Sequence, residues 1–238
     1  MITELNNTAD LVLNDKDSKE KSIKVSNVKA KKLIYNIVKR SFDIVSGLVG
    51  ILLLIPIAIV IKIISICSGD FNSIFYSQNR IGKNGKIFKL YKFRSMIPNA
   101  DKELEVLLKN NKELAEEYKK MKKLNNDPRI TRIGSVLRKT SIDELPQMIN
   151  VFLGDMTLVG NRPYLPREKE DMKNYYNDII KTKPGLTGFW QVSLRSRGTF
   201  EQRLKMEKYY SNNLCLKLDV QILLKTINVI FRCDNDAK

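Results

Sequence analysis

Asp143 and Glu144 are adjacent in the run Arg138-Lys139-Thr140-Ser141-Ile142-Asp143-Glu144-Leu145-Pro146-Gln147, where the residue types best support chemistry. The pair sits where a helix is expected to start, with a cation, Arg138, just upstream. Two registers are open. Ser141 can be the N-cap with Glu144 closing a capping box, or Asp143 can be the cap, with Pro146 at a position whose amide has no intrahelical partner. In either register the free amides and the helix dipole favour anions, including a substrate phosphate, and keep Asp143 ionised and nucleophilic. Alone, such a pair most often only stabilises a helix end. Loops carrying Gly, Pro and polar or cationic groups follow it, namely Gly154-Asp155, Gly160-Asn161-Arg162-Pro163-Tyr164 and Lys183-Pro184-Gly185-Leu186-Thr187-Gly188. Loops of this kind build ligand sites on rigid scaffolds.

The chain contains no histidine, so catalysis must rest on carboxylates, Lys, Tyr or hydroxyls. Its formal net charge of +16 calls for an anionic partner. Nucleic acid, an acidic membrane surface and a phosphorylated small molecule are the candidates. A membrane-tethered nucleic-acid-binding module is the rival function, but no stacking aromatic platform or reading helix accompanies the cations, so nucleic acid is not an expected partner. Cys67, Cys215 and Cys233 are far apart, without metal or disulfide spacing, which suits a reducing compartment.

The elements that position the carboxylates divide into three parts. Residues 1–30 are polar with scattered apolar residues, and a disordered tail is expected. Residues 31–67 hold an apolar run from Ile44 to Cys67, long enough to cross a bilayer, which needs about 20 residues. Pro56 lies mid-run and predicts a break between halves of about 12 residues, roughly 18 Å each, or one leaflet deep. Both flanks are cationic: Lys39 and Arg40 precede the run, and Arg80, Lys83, Lys86, Lys89, Lys92 and Arg94 follow. Positive flanks stay cytoplasmic, so a re-entrant helix-break-helix is expected, with a bent single span as the alternative.

Residues 68–238 are read as a catalytic domain. Ser73 to Ser77 and Lys86 to Phe93 predict a β-hairpin around Gly82-Lys83-Asn84-Gly85, ending in Lys92 and Arg94 on one strand face. One long amphipathic helix is expected from about Asp101 to Leu124, ended by Asn126-Asp127-Pro128. Thr199-x-x-Gln202 opens a helix to about Asn212, and a second runs from about Leu216 to Phe231 with an apolar stripe that includes Leu218, Ile222 and Ile227.

Taken together these pieces resemble the bacterial sugar transferases, monotopic phosphoglycosyl transferases that act on polyprenyl phosphate. The matching motifs span about Lys39 to Phe231: Lys39-Arg40-x-x-Asp43, Pro56, Tyr91-Lys92-Phe93-Arg94-Ser95-Met96, Asp127-Pro128-Arg129-Ile130-Thr131, Leu137 through Gln147, Gly160-x-Arg162-Pro163 and Lys183-Pro184-Gly185-Leu186-Thr187-Gly188. Ile55, Asn161 and Leu194 depart from the family pattern, Asn161 in the loop expected to shape the nucleotide or sugar pocket and Leu194 beside the Arg195-Ser196-Arg197 loop. The resemblance implies a mostly helical α/β monotopic membrane protein on the cytoplasmic membrane. Lys39, Arg40, Asp43 and Pro56 would belong to its membrane hairpin, and its catalytic domain would face the cytoplasm beside the inner leaflet. It further implies Mg²⁺ as cofactor, held by Asp143 and Glu144, and a UDP-sugar and undecaprenyl phosphate as substrates. Asp143 would be the nucleophile, with Glu144 as its catalytic partner. Arg138 and Arg162 would contact phosphate, and Lys92, Arg94, Gln147 and Pro163 complete the substrate-binding candidates.

Overall fold

In the computed structural model, which describes residues 26–121, 124, 126–194 and 198–231, the longest element is a single helix, α1 (Ser26–Cys67). It is long and apolar enough to cross a membrane. α1 starts inside the stretch expected to be a disordered tail, and residues 1–25 of that tail lie outside the described residues.

The helix passes through Pro56 where two helices with a break between them were expected. The missing proline hydrogen bond and ring clash cost about 3 kcal/mol. Packing on both sides of the proline offsets this: Leu54 and Ile61 are buried with Phe93 and Leu137, and Ile57 and Ala58 pack against the same cluster. The opposite face of α1 exposes Leu52, Leu53, Ile55, Ile59, Val60 and Ile63.

Lys39, Arg40 and Asp43, expected in the membrane hairpin, fasten α1 to the rest of the chain. Lys39 Nζ reaches Asp219 Oδ2 at 2.6 Å and the Val159 carbonyl at 2.7 Å. Arg40 donates to the carbonyls of Val151 and Phe152. Asp43, 3 % exposed, accepts from Thr157 Oγ1 and from the Leu158 amide. At Gly50 a Cβ would stand 2.4 Å from Met148 Cγ, so a side chain there would push α1 away.

The expected hairpin is present, but its first strand lies later than Ser73 to Ser77 and runs on to the turn: antiparallel β1 (Phe75–Ile81) and β2 (Ile87–Phe93) are joined by a 3₁₀ turn over Lys83–Gly85. The expected single helix after it is two, α2 (Ala100–Asn110) and α3 (Lys112–Met121). Asn111 breaks it by adopting an extended conformation and accepting the Leu114 amide on its side-chain oxygen, the usual competition of Asn with helical backbone. α4 (Arg132–Lys139) is capped by Thr131, whose hydroxyl accepts the Gly134 amide at 2.9 Å.

α5 (Gln147–Leu153) follows the carboxylates, and β3 (Thr157–Val159) pairs in parallel with β4 (Gly185–Thr187). Short α6 (Tyr176–Ile179) and α7 (Phe189–Ser193) flank this pair. α8 (Phe200–Asn212) begins with both bonds of the expected capping box, Gln202 amide to Thr199 Oγ1 and Thr199 amide to Gln202 Oε1. α9 (Leu216–Phe231) packs Leu218 and Ile222 into the core around Val151, Met156 and Trp190, while Val220, Leu224 and Ile227 face outward.

Candidate active site

A single helical coil carries the two carboxylates, and its first turn is 3₁₀. Ile142–Glu144 wind as a 3₁₀ turn, Leu145 and Pro146 keep helical angles, and α5 continues from Gln147. This change of pitch accommodates Pro146: the Leu145 amide already takes the Ile142 carbonyl at 3.0 Å, so the N–H that proline lacks leaves no acceptor waiting there. The coil starts after Ser141, as the first register has it. The capping box is absent, because Ser141 is left-handed (φ 58°) and makes no side-chain cap bond.

α1 supports this turn from below, since Ile142 and Leu145 join the cluster built on Leu54 and Ile61. On its other side the turn faces β2. Asn150, fully buried in α5, donates to the Lys89 carbonyl at 2.7 Å and accepts the Tyr91 amide at 3.1 Å, clamping the strand to the helix. The clamp sets Lys92 over the carboxylates. Its Nζ lies 2.8 Å from Glu144 Oε1 and 3.6 Å from Asp143 Oδ2. No sequence signal distinguished Asn150 from an ordinary buried helix residue.

The two carboxyls are driven apart in acidity. Asp143 is 7 % exposed; burial pushes it above the ordinary carboxylate range, and the Glu144 charge adds to this against the pull of Lys92 and Arg138. For Glu144 burial also acts upward, but the Lys92 ammonium, the Arg162 charge and the Gln147 amide outweigh it and hold its carboxyl below the usual range. Burial thus works against the helix-end field that was expected to keep Asp143 ionised. With Lys92→Met both carboxyls should titrate higher, moving the acid limb of turnover to higher pH. A limb left in place would show that Lys92 does not govern the pair.

These residues line a cleft of about 1690 Å³ together with Arg94, Arg138 and Arg162. Arg138 Nε donates to Ser95 Oγ at 2.9 Å, which aims the side chain from α4 toward the Asp143 turn. Arg162 is exposed on the loop after β3, its amide fixed to Glu207 Oε1 at 3.2 Å.

Three expected substrate contacts have other duties. Arg94 is bound to Asp70 at 2.7 Å and to the Ser73 carbonyl, and it holds the Asp70 carboxyl down at about 2, so it ties the end of α1 to β2. Gln147, 2 % exposed, stands behind Glu144 and hydrogen-bonds to it, away from the cleft lining. Pro163 is buried off the cleft, with its carbonyl accepting Arg80. Asn161, the departure from the family pattern, is buried and knots Ser211, Thr182 and Ile179 together. It therefore braces the loop and does not line the cleft.

Among the described residues no group of three acidic, His or Cys side chains forms a ready-made metal cage. The pair Asp143 and Glu144, the latter reaching the cleft, nonetheless fits Mg²⁺, which takes one or two carboxylates and fills its shell with phosphate oxygens and water.

A buried carboxylate beside a more acidic one, under a lysine in an arginine-lined cleft, is an arrangement suited to anionic ligands. The chain belongs to the bacterial sugar transferase family, which it matches over residues 34–233. It is 39 % identical over 197 residues to the exopolysaccharide production protein ExoY of Sinorhizobium fredii, covering 83 % of this chain and 87 % of that one. It is 44 % identical over 196 residues to the UDP-galactose-lipid carrier transferase of Erwinia amylovora. Identity is 40 % over 201 residues to the undecaprenyl-phosphate galactose phosphotransferase of Salmonella typhimurium. For these last two the match covers 82 % of this chain but 41 % of the relative.

Proposed function

We propose that the protein transfers a sugar 1-phosphate from a UDP-sugar to undecaprenyl phosphate, an early membrane step in exopolysaccharide or capsule assembly. The observation that carries this reading is the Asp143–Glu144 pair under Lys92, seated directly on the apolar helix α1. The names of the relatives agree with it.

In the first displacement an Asp143 carboxylate oxygen bonds to the β-phosphorus. The bond from that phosphorus to the bridging oxygen breaks, and UMP leaves with the electron pair. An oxygen of the lipid phosphate then attacks the same phosphorus, releasing the Asp143 carboxylate and forming the lipid diphosphate sugar. A carboxylate nucleophile thus divides one exchange between anions into two. Lys92, Arg138 and Arg162 offset the charge of the phosphates, and Glu144, kept ionised, orients Lys92. Mg²⁺ held by the carboxylates would supply further neutralisation of phosphate oxygens.

α1 lies along the cytoplasmic leaflet as one continuous helix that does not cross the bilayer, with the catalytic domain on the cytoplasmic side. Its contacts support this: Tyr35 binds Asp219 and Ile61 packs near Phe93, both on the same domain. Between those residues a straight helix rises roughly 39 Å, more than the ~30 Å hydrocarbon thickness, so a perpendicular crossing would pull the domain into the bilayer.

Membranes given Mg²⁺, undecaprenyl phosphate and a panel of UDP-sugars should release UMP with at least one sugar. Without acceptor, intact-mass analysis should find one phosphosugar added at Asp143. UMP release with no such adduct, under single-turnover conditions, would refute the covalent route.

A further inference from the structure

The cationic cleft continues past the residues used above. Arg203, one turn into α8, is 8 % exposed yet lines the cleft. Its guanidinium lies 5.2 Å from the Trp190 ring and 5.6 Å from the Phe200 ring. Rings fix the plane of a guanidinium but do not accept its in-plane N–H groups, and Arg203 Nε has no hydrogen-bond partner. A buried donor left unmet on a side chain that lines a cleft is compatible with a bound acceptor there.

The surroundings specify its sign. Burial and repulsion from Arg162 pull the Arg203 pKa down and outweigh the attraction of Tyr164, Glu207 and Glu168, and a bound anion would relieve both. Arg80 adds a third cation, with two of its nitrogens committed to Pro163 and Gln78. Glu207, four residues on, is 1 % exposed and attracts Arg203, but its Oε1 accepts the Arg162 amide, its Oε2 makes no hydrogen bond, and burial pushes its carboxyl up to about 7.

Resting on the sugar-phosphate transfer reading above, we propose that Arg203, with Arg162 beside it, forms a second anion subsite that takes a phosphate oxygen. That phosphate belongs either to the nucleotide or to the acceptor lipid, and the chemistry of recognition is the same for both.

Trp190 is the only tryptophan in the chain, so its fluorescence reports on this subsite without any turnover. The full chain in lipid nanodiscs would be titrated with UMP, with a short-chain prenyl phosphate and with inorganic phosphate. Saturable change with UMP assigns the nucleotide side; change with the prenyl phosphate assigns the lipid side. Arg203→Gln should weaken that binding by roughly 10- to 100-fold, the range for a hydrogen bond between charged groups. Arg203→Lys, which keeps the charge but not the plane, should fall between, and it decides the matter if the Gln variant does not fold. No emission change with any of the three probes, or folded variants binding as wild type does, would overturn the subsite. If UMP release fails while Arg203 still governs anion binding, the reaction is wrong and the subsite stands. If both variants turn over and bind anions as wild type does, the reaction stands and the subsite falls.

Discussion

Asp143→Asn should abolish UMP release, by at least about 10³-fold, without lowering the melting temperature. The side chain is isosteric and the turn that carries it is held by backbone bonds and by packing on α1, neither of which needs the charge. The stability effect has a definite sign. Asp143 titrates above the carboxylate range in the folded protein, mainly because it is buried. Its stabilising contribution is complete below the unfolded-state pKa, about 3.9, and is lost as pH rises through the raised folded value. At neutral pH ionised Asp143 is a liability, and Asn removes it. Calorimetry at pH 7 should therefore find the variant at or above the wild-type melting temperature, with the advantage shrinking in acid. In the wild type the same titration should appear as an acid limb of turnover, falling at a pH above that of an ordinary carboxylate. A dead variant that also melts several degrees lower would mean the carboxylate is structural, and activity at the wild-type level would remove it as nucleophile.

How much of this was legible in the sequence depended on the range of the signal. Local chemistry read well. The glycine-rich turn between aromatic strands gave β1 and β2, and Thr199-x-x-Gln202 gave the start of α8. β3 and β4 have three residues each, too few for periodicity, and their pairing is fixed by a contact distant in sequence. Asn111 reads as a neutral helix residue until its side chain competes for the Leu114 amide. The carboxylates stood out by type and adjacency, but their unequal acidity depends on burial and on Lys92, brought from another element. The same limit applies to cations. Arg94 and Arg203 look alike in sequence; one is consumed by Asp70, while the other lines the cleft with its Nε buried and unpartnered.

Gly134→Ala tests whether the close seating of α4 is what delivers Arg138. Helix propensity alone predicts stabilisation, since Gly to Ala inside a helix gains roughly 1 kcal/mol. The structure predicts the opposite. A Cβ on Gly134 would lie 1.9 Å from the Ser95 carbonyl oxygen and 2.5 Å from its carbon. Those atoms are backbone, and they are held in place: the Ser95 carbonyl accepts the Thr131 amide at 3.1 Å, and Thr131 caps the helix that contains Gly134. Nothing flexible can yield, so α4 must move away from the strand end. Overpacking of this kind costs about 3 kcal/mol at the upper end of its usual range, which outweighs the propensity gain and leaves roughly 2 kcal/mol of loss. In a domain of this size that is a melting temperature lower by about 4–8 °C. The displacement also breaks the bond from Arg138 Nε to Ser95 Oγ, taking the guanidinium off its line to the Asp143 turn. A shift near 1 Å in a positioning group costs about 10² in rate, so turnover should fall by that order even at temperatures where the variant is fully folded. Arg138→Lys should reproduce the loss of turnover with little change in melting temperature, which separates the charge from the packing. A Gly134→Ala protein that melts higher than wild type would show that α4 sits farther from Ser95 than the structure has it.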